Sequence, residues 1–98
     1  MARSLVYTDQ ALEQLAEVLA KWPARAIEIT QRARRLCILP YTYGAVDGPP
    51  GTRRTLVGGG RRNRPHCVIF EVDPDTGRNE DEGVVRVLAI YWPGQQRP

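Results

Sequence analysis

The sequence predicts an α+β fold in which a hairpin of two helices packs on an antiparallel sheet, with the element order β-α-α-β-β-β. Two amphipathic segments near the amino terminus are separated by a proline, and three segments rich in β-branched residues follow, separated by glycine- and proline-containing turns. A helical stripe has to be buried against a sheet, so this order is typical of the α+β class. With 98 residues, 42% of them hydrophobic, we expect one domain spanning residues 1–98.

The first strand and the first helix occupy the amino-terminal quarter of the chain. Residues 3–7 contain β-branched and aromatic side chains and are predicted to form an edge strand. Thr8 is suited to cap a helix because its hydroxyl can accept a hydrogen bond from a free backbone N–H, and the helix should run to about residue 22. Its apolar residues recur at intervals of three and four, which predicts a buried stripe of Leu12, Leu15, Ala16, Val18, Leu19 and Trp22.

The second helix begins after Pro23, which ends the first helix and suits the first position of the next. It should extend from residue 24 to about residue 39, where Pro40 stops it, and the short connection implies an antiparallel hairpin. Its predicted buried stripe is Ile29, Ala33, Leu36 and Cys37. The intervening arginines are expected to be solvated, with their stems along the surface: Arg25, Arg32, Arg34 and Arg35.

The remaining chain is predicted to form three strands after a loop over residues 41–51. These strands are expected at residues 54–57, 66–72 and 84–91. A glycine run at residues 58–60 and turn-forming residues at 73–77 separate them. Consecutive strands joined by such turns form an antiparallel meander, on which the helical hairpin has to pack.

Several classes of function are excluded or disfavoured by composition. No apolar run approaches the length that crosses a bilayer, and no signal peptide is visible, so we expect a cytoplasmic protein. Cys37 and Cys67 lack metal-ligand spacing and are interpreted as small buried side chains, and we predict neither a metal nor a cofactor. The glycine run lacks the Lys-Ser/Thr of a phosphate-binding loop, and acidic residues 80–82 are interpreted as a solvated turn.

Five arginines lie within twelve residues on both sides of the glycine run: Arg53, Arg54, Arg61, Arg62 and Arg64. If the flanking strands pair, these side chains gather at one edge of the sheet and form a surface for an anion, either nucleic acid or an acidic protein. The alternative is a solvated basic loop that only favours solubility.

Short motifs in this order resemble those of the RelE/ParE toxins of type II toxin–antitoxin systems. They are VYTDQAL at residues 6–12, LCILPYTYG at 36–44, RTLVGG at 54–59, VIFEV at 68–72 and VLAI at 87–90. The resemblance spans nearly the whole chain and implies the RelE/ParE fold. It also implies a protein partner, the cognate antitoxin.

Antitoxins of this family wrap a segment across the toxin's sheet and helices. The candidate anchors for such a segment are aromatic, because aromatic residues are enriched at interface hot spots: Tyr41, Tyr43, Tyr91 and Trp92. An acidic antitoxin segment would also suit the arginine cluster. The alternative for these rings is packing at the edge of the core, which is the interpretation we prefer for Tyr7 and Trp22.

Two departures from the family bear on activity. Many members have a Tyr-Arg pair where this chain has His66 and Cys67, and in the ribosome-dependent ribonucleases that arginine helps to neutralise the scissile phosphate. Members also tend to place a histidine or arginine beyond the last strand, where this chain continues with Trp92 and Pro93. Cleavage of messenger RNA needs cations and a proton carrier beside the phosphate. The resemblance therefore implies a ParE-like toxin, with gyrase as the expected target.

Two alternatives stay open. One is a RelE-like ribonuclease that cleaves messenger RNA on the ribosome, with Arg61, Arg62, Arg64 and His66 as its candidate catalytic residues. The other is an interaction domain that keeps the fold without toxicity.

Overall fold

The computed structural model describes residues 2–43, 51–59 and 64–92. Its elements are β1 (Ser4–Tyr7), α1 (Asp9–Lys21), α2 (Pro23–Leu36), α3 (Pro40–Tyr43), β2 (Arg53–Val57), β3 (His66–Asp73) and β4 (Val84–Tyr91). The predicted α+β class and the order β-α-α-β-β-β are confirmed, with the short helix α3 added before β2.

The four strands form one sheet in the order β1-β4-β3-β2. The pairs β2–β3 and β3–β4 are antiparallel, which confirms the meander. The strand β1 lies at the edge as predicted, but it runs parallel to β4, with Ser4 opposite Val84, so the sheet is mixed rather than wholly antiparallel. Parallel neighbours need a long crossover connection, and here the rest of the fold lies between the two strands.

Thr8 fixes the start of α1. Its Oγ1 accepts a hydrogen bond from the Ala11 backbone N–H at 3.1 Å, as the predicted cap requires. The same hydroxyl donates to the backbone oxygen of Leu88 at 3.0 Å. In the pairing of β3 with β4, Ile69 faces Ala89 and Phe70 faces Val87, so Leu88 forms a β-bulge. Thr8 thus also ties the start of α1 to the β-bulge of β4.

The predicted buried stripe of α1 is wrong in part. Ala11 and Val18 are buried and Leu15 packs against them, but Leu12 is 50% exposed and Leu19 is 57% exposed. Ala16 and Trp22 are exposed as well. The predicted stripe and the buried one overlap because the residues of each recur at intervals of three and four. The two stripes are offset by one residue, which is a rotation of about 100° around the helix. The core side is therefore the one that carries the small residue Ala11.

The predicted stripe of α2 is confirmed. Ile29, Ala33, Leu36 and Cys37 are at most 6% exposed and pack with β3 and β4 residues in two adjoining clusters. Phe70 belongs to the second cluster and is fully buried.

The end of α2 differs from the prediction. The helix ends at Leu36 rather than near residue 39, and Pro40 begins α3 instead of only ending a helix. Proline suits a first helical position because it lacks the N–H that would be unpaired there. The next residue, Tyr41, donates its N–H to Oδ1 of Asn79 at 3.0 Å, which ties α3 to the turn between β3 and β4.

Candidate functional site

Arg53 is bound within the fold rather than solvated. Its Cζ lies 4.5 Å from the ring centroid of Tyr41, and its Nη2 lies 3.6 Å from Oδ1 of Asp75. The Tyr41 hydroxyl donates to the same oxygen at 2.6 Å, and Cζ of Arg3 approaches the same ring at 5.6 Å. We call Arg3, Tyr41, Arg53 and Asp75 the Tyr41 cluster. Two guanidinium groups lie against one aromatic ring there, which is a favourable cation–π arrangement.

Arg3, a member of the Tyr41 cluster, also binds the turn between β3 and β4. It is 3% exposed, and it donates to the backbone oxygens of Arg78 at 2.8 Å and Asn79 at 2.9 Å. Sequence reasoning missed this role because the partners are more than seventy residues away along the chain and no periodic signal links them.

Arg54 belongs to the opposite face of the sheet. Arg54 is half-buried, and in the sheet it lies opposite Ile69 of β3. Successive side chains of a strand point to opposite faces, so Arg53 points to the helices and Arg54 points away from them. Leu56 follows on the same face as Arg54 and is 52% exposed.

The other cluster lies at the start of β3. Arg25 of α2 donates through Nη1 to Nδ1 of His66 at 2.9 Å and to the backbone oxygen of Arg64 at 3.0 Å. The His66 ring meets the Trp22 ring edge to face with centroids 5.5 Å apart, and the Trp22 and Trp92 centroids are 6.0 Å apart. We call Trp22, Arg25, His66 and Trp92 the His66 cluster.

His66 is buried, with 4% of its surface exposed. Burial, and then the neighbouring Arg25 guanidinium, lower the pKa of His66 below its usual value. Because an arginine can only donate, Nδ1 must accept, and the proton of the neutral ring lies on Nε2. A neutral, buried ring is a poor proton carrier for a substrate outside the fold.

The candidate arginines that the structure describes lie in different parts of the fold. Arg53 pairs with Phe70 in the middle of β3, whereas Arg64 lies two residues before the start of that strand. Arg64 is exposed, and Arg61 and Arg62 lie outside the described residues. The structure therefore does not bring Arg53 and Arg64 together on one surface.

The candidate aromatic residues are likewise divided. Tyr41 belongs to the Tyr41 cluster, and Tyr43 lies beside α2 with its ring centroid 5.1 Å from Cζ of Arg32. Tyr91 is only 5% exposed, whereas Trp92 is 46% exposed and contacts Trp22. Of the four rings, Trp92 thus offers the largest exposed apolar surface.

Two arginines of α2 correct the expectation of a solvated helix face. Arg25 reaches His66, and Arg32 donates through Nη1 to Oγ1 of Thr55 at 2.7 Å and to the backbone oxygen of Leu56 at 3.1 Å. Both side chains tie α2 to the β2–β3 edge. Guanidinium groups suit this role because their fork of donors can serve two acceptors at once.

Neither a metal centre nor a membrane span is found in the part of the chain that the structure describes. No group of three or more histidine, cysteine or acidic side chains there is arranged to hold an ion. None of the described helices has the length and apolar character needed to cross a bilayer.

No protein-family model matches the sequence, and no curated protein matches it either. A solved structure does match: a chain of the toxin–antitoxin complex RelBE2 from Mycobacterium tuberculosis superimposes with a TM-score of 0.67. The superposition covers 94% of this chain and 99% of that chain, at 15% sequence identity. The protein has a RelE-like fold. The structural match confirms, at the level of the fold, the resemblance that the sequence motifs predicted.

Proposed function

We propose that this protein is the toxin of a type II toxin–antitoxin system, that it acts in the cytoplasm as a ParE-like inhibitor, and that a cognate antitoxin neutralises it. The observation that carries the proposal is the fold, which matches a chain of a toxin–antitoxin complex over nearly the full length of both chains. Within that fold, the expected target is gyrase.

The side chains at the start of β3 favour a binding toxin over a nuclease. Cys67 is 4% exposed and stands where the ribonucleases of the family carry an arginine, and it cannot supply a positive charge. His66 is buried, and its Nδ1 is already bound to Arg25. Phosphate cleavage needs accessible cations and a proton carrier, and neither residue meets that need.

The target contact is proposed for the candidate arginines outside the Tyr41 cluster, namely Arg54, Arg61, Arg62 and Arg64. Arg54 lies on the sheet face away from the helices, and Arg64 is exposed. Replacing residues 61, 62 and 64 together by alanine should weaken target binding. The matched control is Arg34→Ala, because Arg34 is an exposed arginine of α2 outside the candidate set.

The proposal is tested by adding the purified protein to gyrase and, separately, to ribosomes carrying messenger RNA. Loss of supercoiling activity without cleavage of the messenger supports a ParE-like toxin. Cleavage that is lost in the triple arginine variant would instead establish the RelE-like ribonuclease. Absence of both effects, with a soluble and folded protein, would favour a non-toxic interaction domain.

A further inference from the structure

A small cavity lies between the carboxyl-terminal half of α1 and the strand ends beside His66. Val18 and Ile90 line it with apolar surface, and the indole rings of Trp22 and Trp92 stand beside it. Its volume of about 40 Å³ has room for one small group or a water or two. The two indoles are 42% and 46% exposed, which is a large apolar surface to leave in water beside a cavity. Half-exposed tryptophans around a pocket are typical of an interface hot spot.

Two hydrogen-bond donors, His66 and Lys21, are among the polar groups at this cavity. His66 carries its proton on Nε2, and that atom is buried without a hydrogen-bond partner among the described residues. Lys21 also lines the cavity, with its Nζ 5.9 Å from the Trp22 ring centroid. The other polar residues of the lining are the acidic Glu17 and Gln14, whose Oε1 already accepts a hydrogen bond from the Ile90 N–H at 2.7 Å. A buried N–H without an acceptor is unfavourable, so the cavity is complementary to a group that accepts hydrogen bonds. Lys21 offers a cation to such a group when it is anionic, and Glu17 opposes it.

We propose that this cavity receives an acidic side chain of the antitoxin, with Trp22 and Trp92 packed against its aliphatic stem and Lys21 paired with its carboxylate. The inference rests on the proposed function, which supplies the antitoxin as the partner. Because Nε2 of His66 is buried, the carboxylate reaches it only after the side chains that cover it move.

The two tryptophans make this site observable, because they are the only two in the chain. The protein is labelled with fluorotryptophan and titrated with the protein encoded by the adjacent open reading frame, and both fluorine NMR resonances are followed. We expect both to shift on binding. Binding with both resonances unchanged would overturn the inference.

Variants test the contribution of each group to affinity. Trp22→Ala and Trp92→Ala should each weaken antitoxin binding by about tenfold or more. The matched control is Ile38→Ala, because Ile38 is 58% exposed but follows the far end of α2. Lys21→Glu should weaken binding and Glu17→Lys should strengthen it, since each changes the charge beside the same cavity. Wild-type affinity in both tryptophan variants, or no effect of either charge reversal, would contradict the inference.

Two outcomes distinguish a wrong docking site from a wrong toxin assignment. If the wild-type protein binds the adjacent gene product tightly while the cavity variants bind equally well, the antitoxin docks elsewhere and only the inference fails. If the wild-type protein does not bind that product, and the product does not relieve growth arrest, both are overturned.

Discussion

Nη1 of Arg25 donates to Nδ1 of His66 at 2.9 Å, and this hydrogen bond joins the first turn of α2 to the first residue of β3. The same nitrogen donates to the backbone oxygen of Arg64. Through Arg25, α2 therefore holds the chain just before β3, where the exposed Arg64 lies.

Gly58→Ala should disturb this connection. A Cβ atom at residue 58 would lie 2.3 Å from Cζ of Arg25, and the backbone there has a φ of +78°, which favours glycine. We expect a loss of about 1–3 kcal/mol in the free energy of unfolding, measured by chemical denaturation.

Gly77→Ala is the matched control for that measurement. Its φ is +80°, but a Cβ atom there would meet nothing within 4 Å. Gly77→Ala therefore introduces the backbone strain of an alanine at positive φ without displacing Arg25. Equal losses in the two variants would show that the packing of Arg25 against residue 58 adds nothing to stability.

His66 should make stability depend on pH in the mildly acidic range. Burial and the Arg25 guanidinium lower the pKa of the folded ring below its ordinary value of 6.5. Between the two pKa values the unfolded chain binds more protons, so the free energy of unfolding falls as the pH drops through 6.5 toward the lowered pKa. Denaturation at about pH 7.5 and about pH 5.5 should show a larger decrease for the wild-type protein than for His66→Gln. The same decrease in both proteins would assign it to other groups.

Paired leucine truncations test which sides of the helices face the core. Leu36→Ala should cost about 2–5 kcal/mol, because Leu36 is fully buried against β3 and β4. Leu19→Ala should change stability by about 0.5 kcal/mol or less, because Leu19 is 57% exposed. A large loss of stability from Leu19→Ala in the isolated protein would show that the side of α1 carrying Leu19 faces the core.

Arg3→Ala should detach the turn between β3 and β4. Arg3 is buried and donates to two backbone oxygens of that turn, which would then lose their charged donor. We expect a loss of about 1.5–3 kcal/mol and faster amide exchange over residues 76–79. The control Arg34→Ala removes an exposed arginine and should leave both measurements nearly unchanged.

The parts of the fold that were predictable depend on local patterns. The strand β4 was predicted with its observed limits, because eight mostly apolar residues lie between a glycine and a proline-containing end. The cap at Thr8 and the stripe of α2 also follow from short-range spacing. The side of α1 that is buried was not predictable, since two stripes with the same period overlap and only the sheet decides between them.

The candidate site was predicted less well than the fold, because its contacts are distant along the chain. Arg53 was predicted to be a surface cation, but it packs on Tyr41, which lies in a different element. Trp22 was interpreted as edge packing, and only the tertiary structure brings it to Trp92, seventy residues later. Composition can indicate that arginines and aromatic residues are available, but not which of them meet.

Growth of bacteria that express this chain from an inducible promoter tests the toxin assignment most directly. We expect growth to stop soon after induction and to resume when the adjacent open reading frame is co-expressed. Continued growth with abundant, folded protein in the soluble fraction would contradict it.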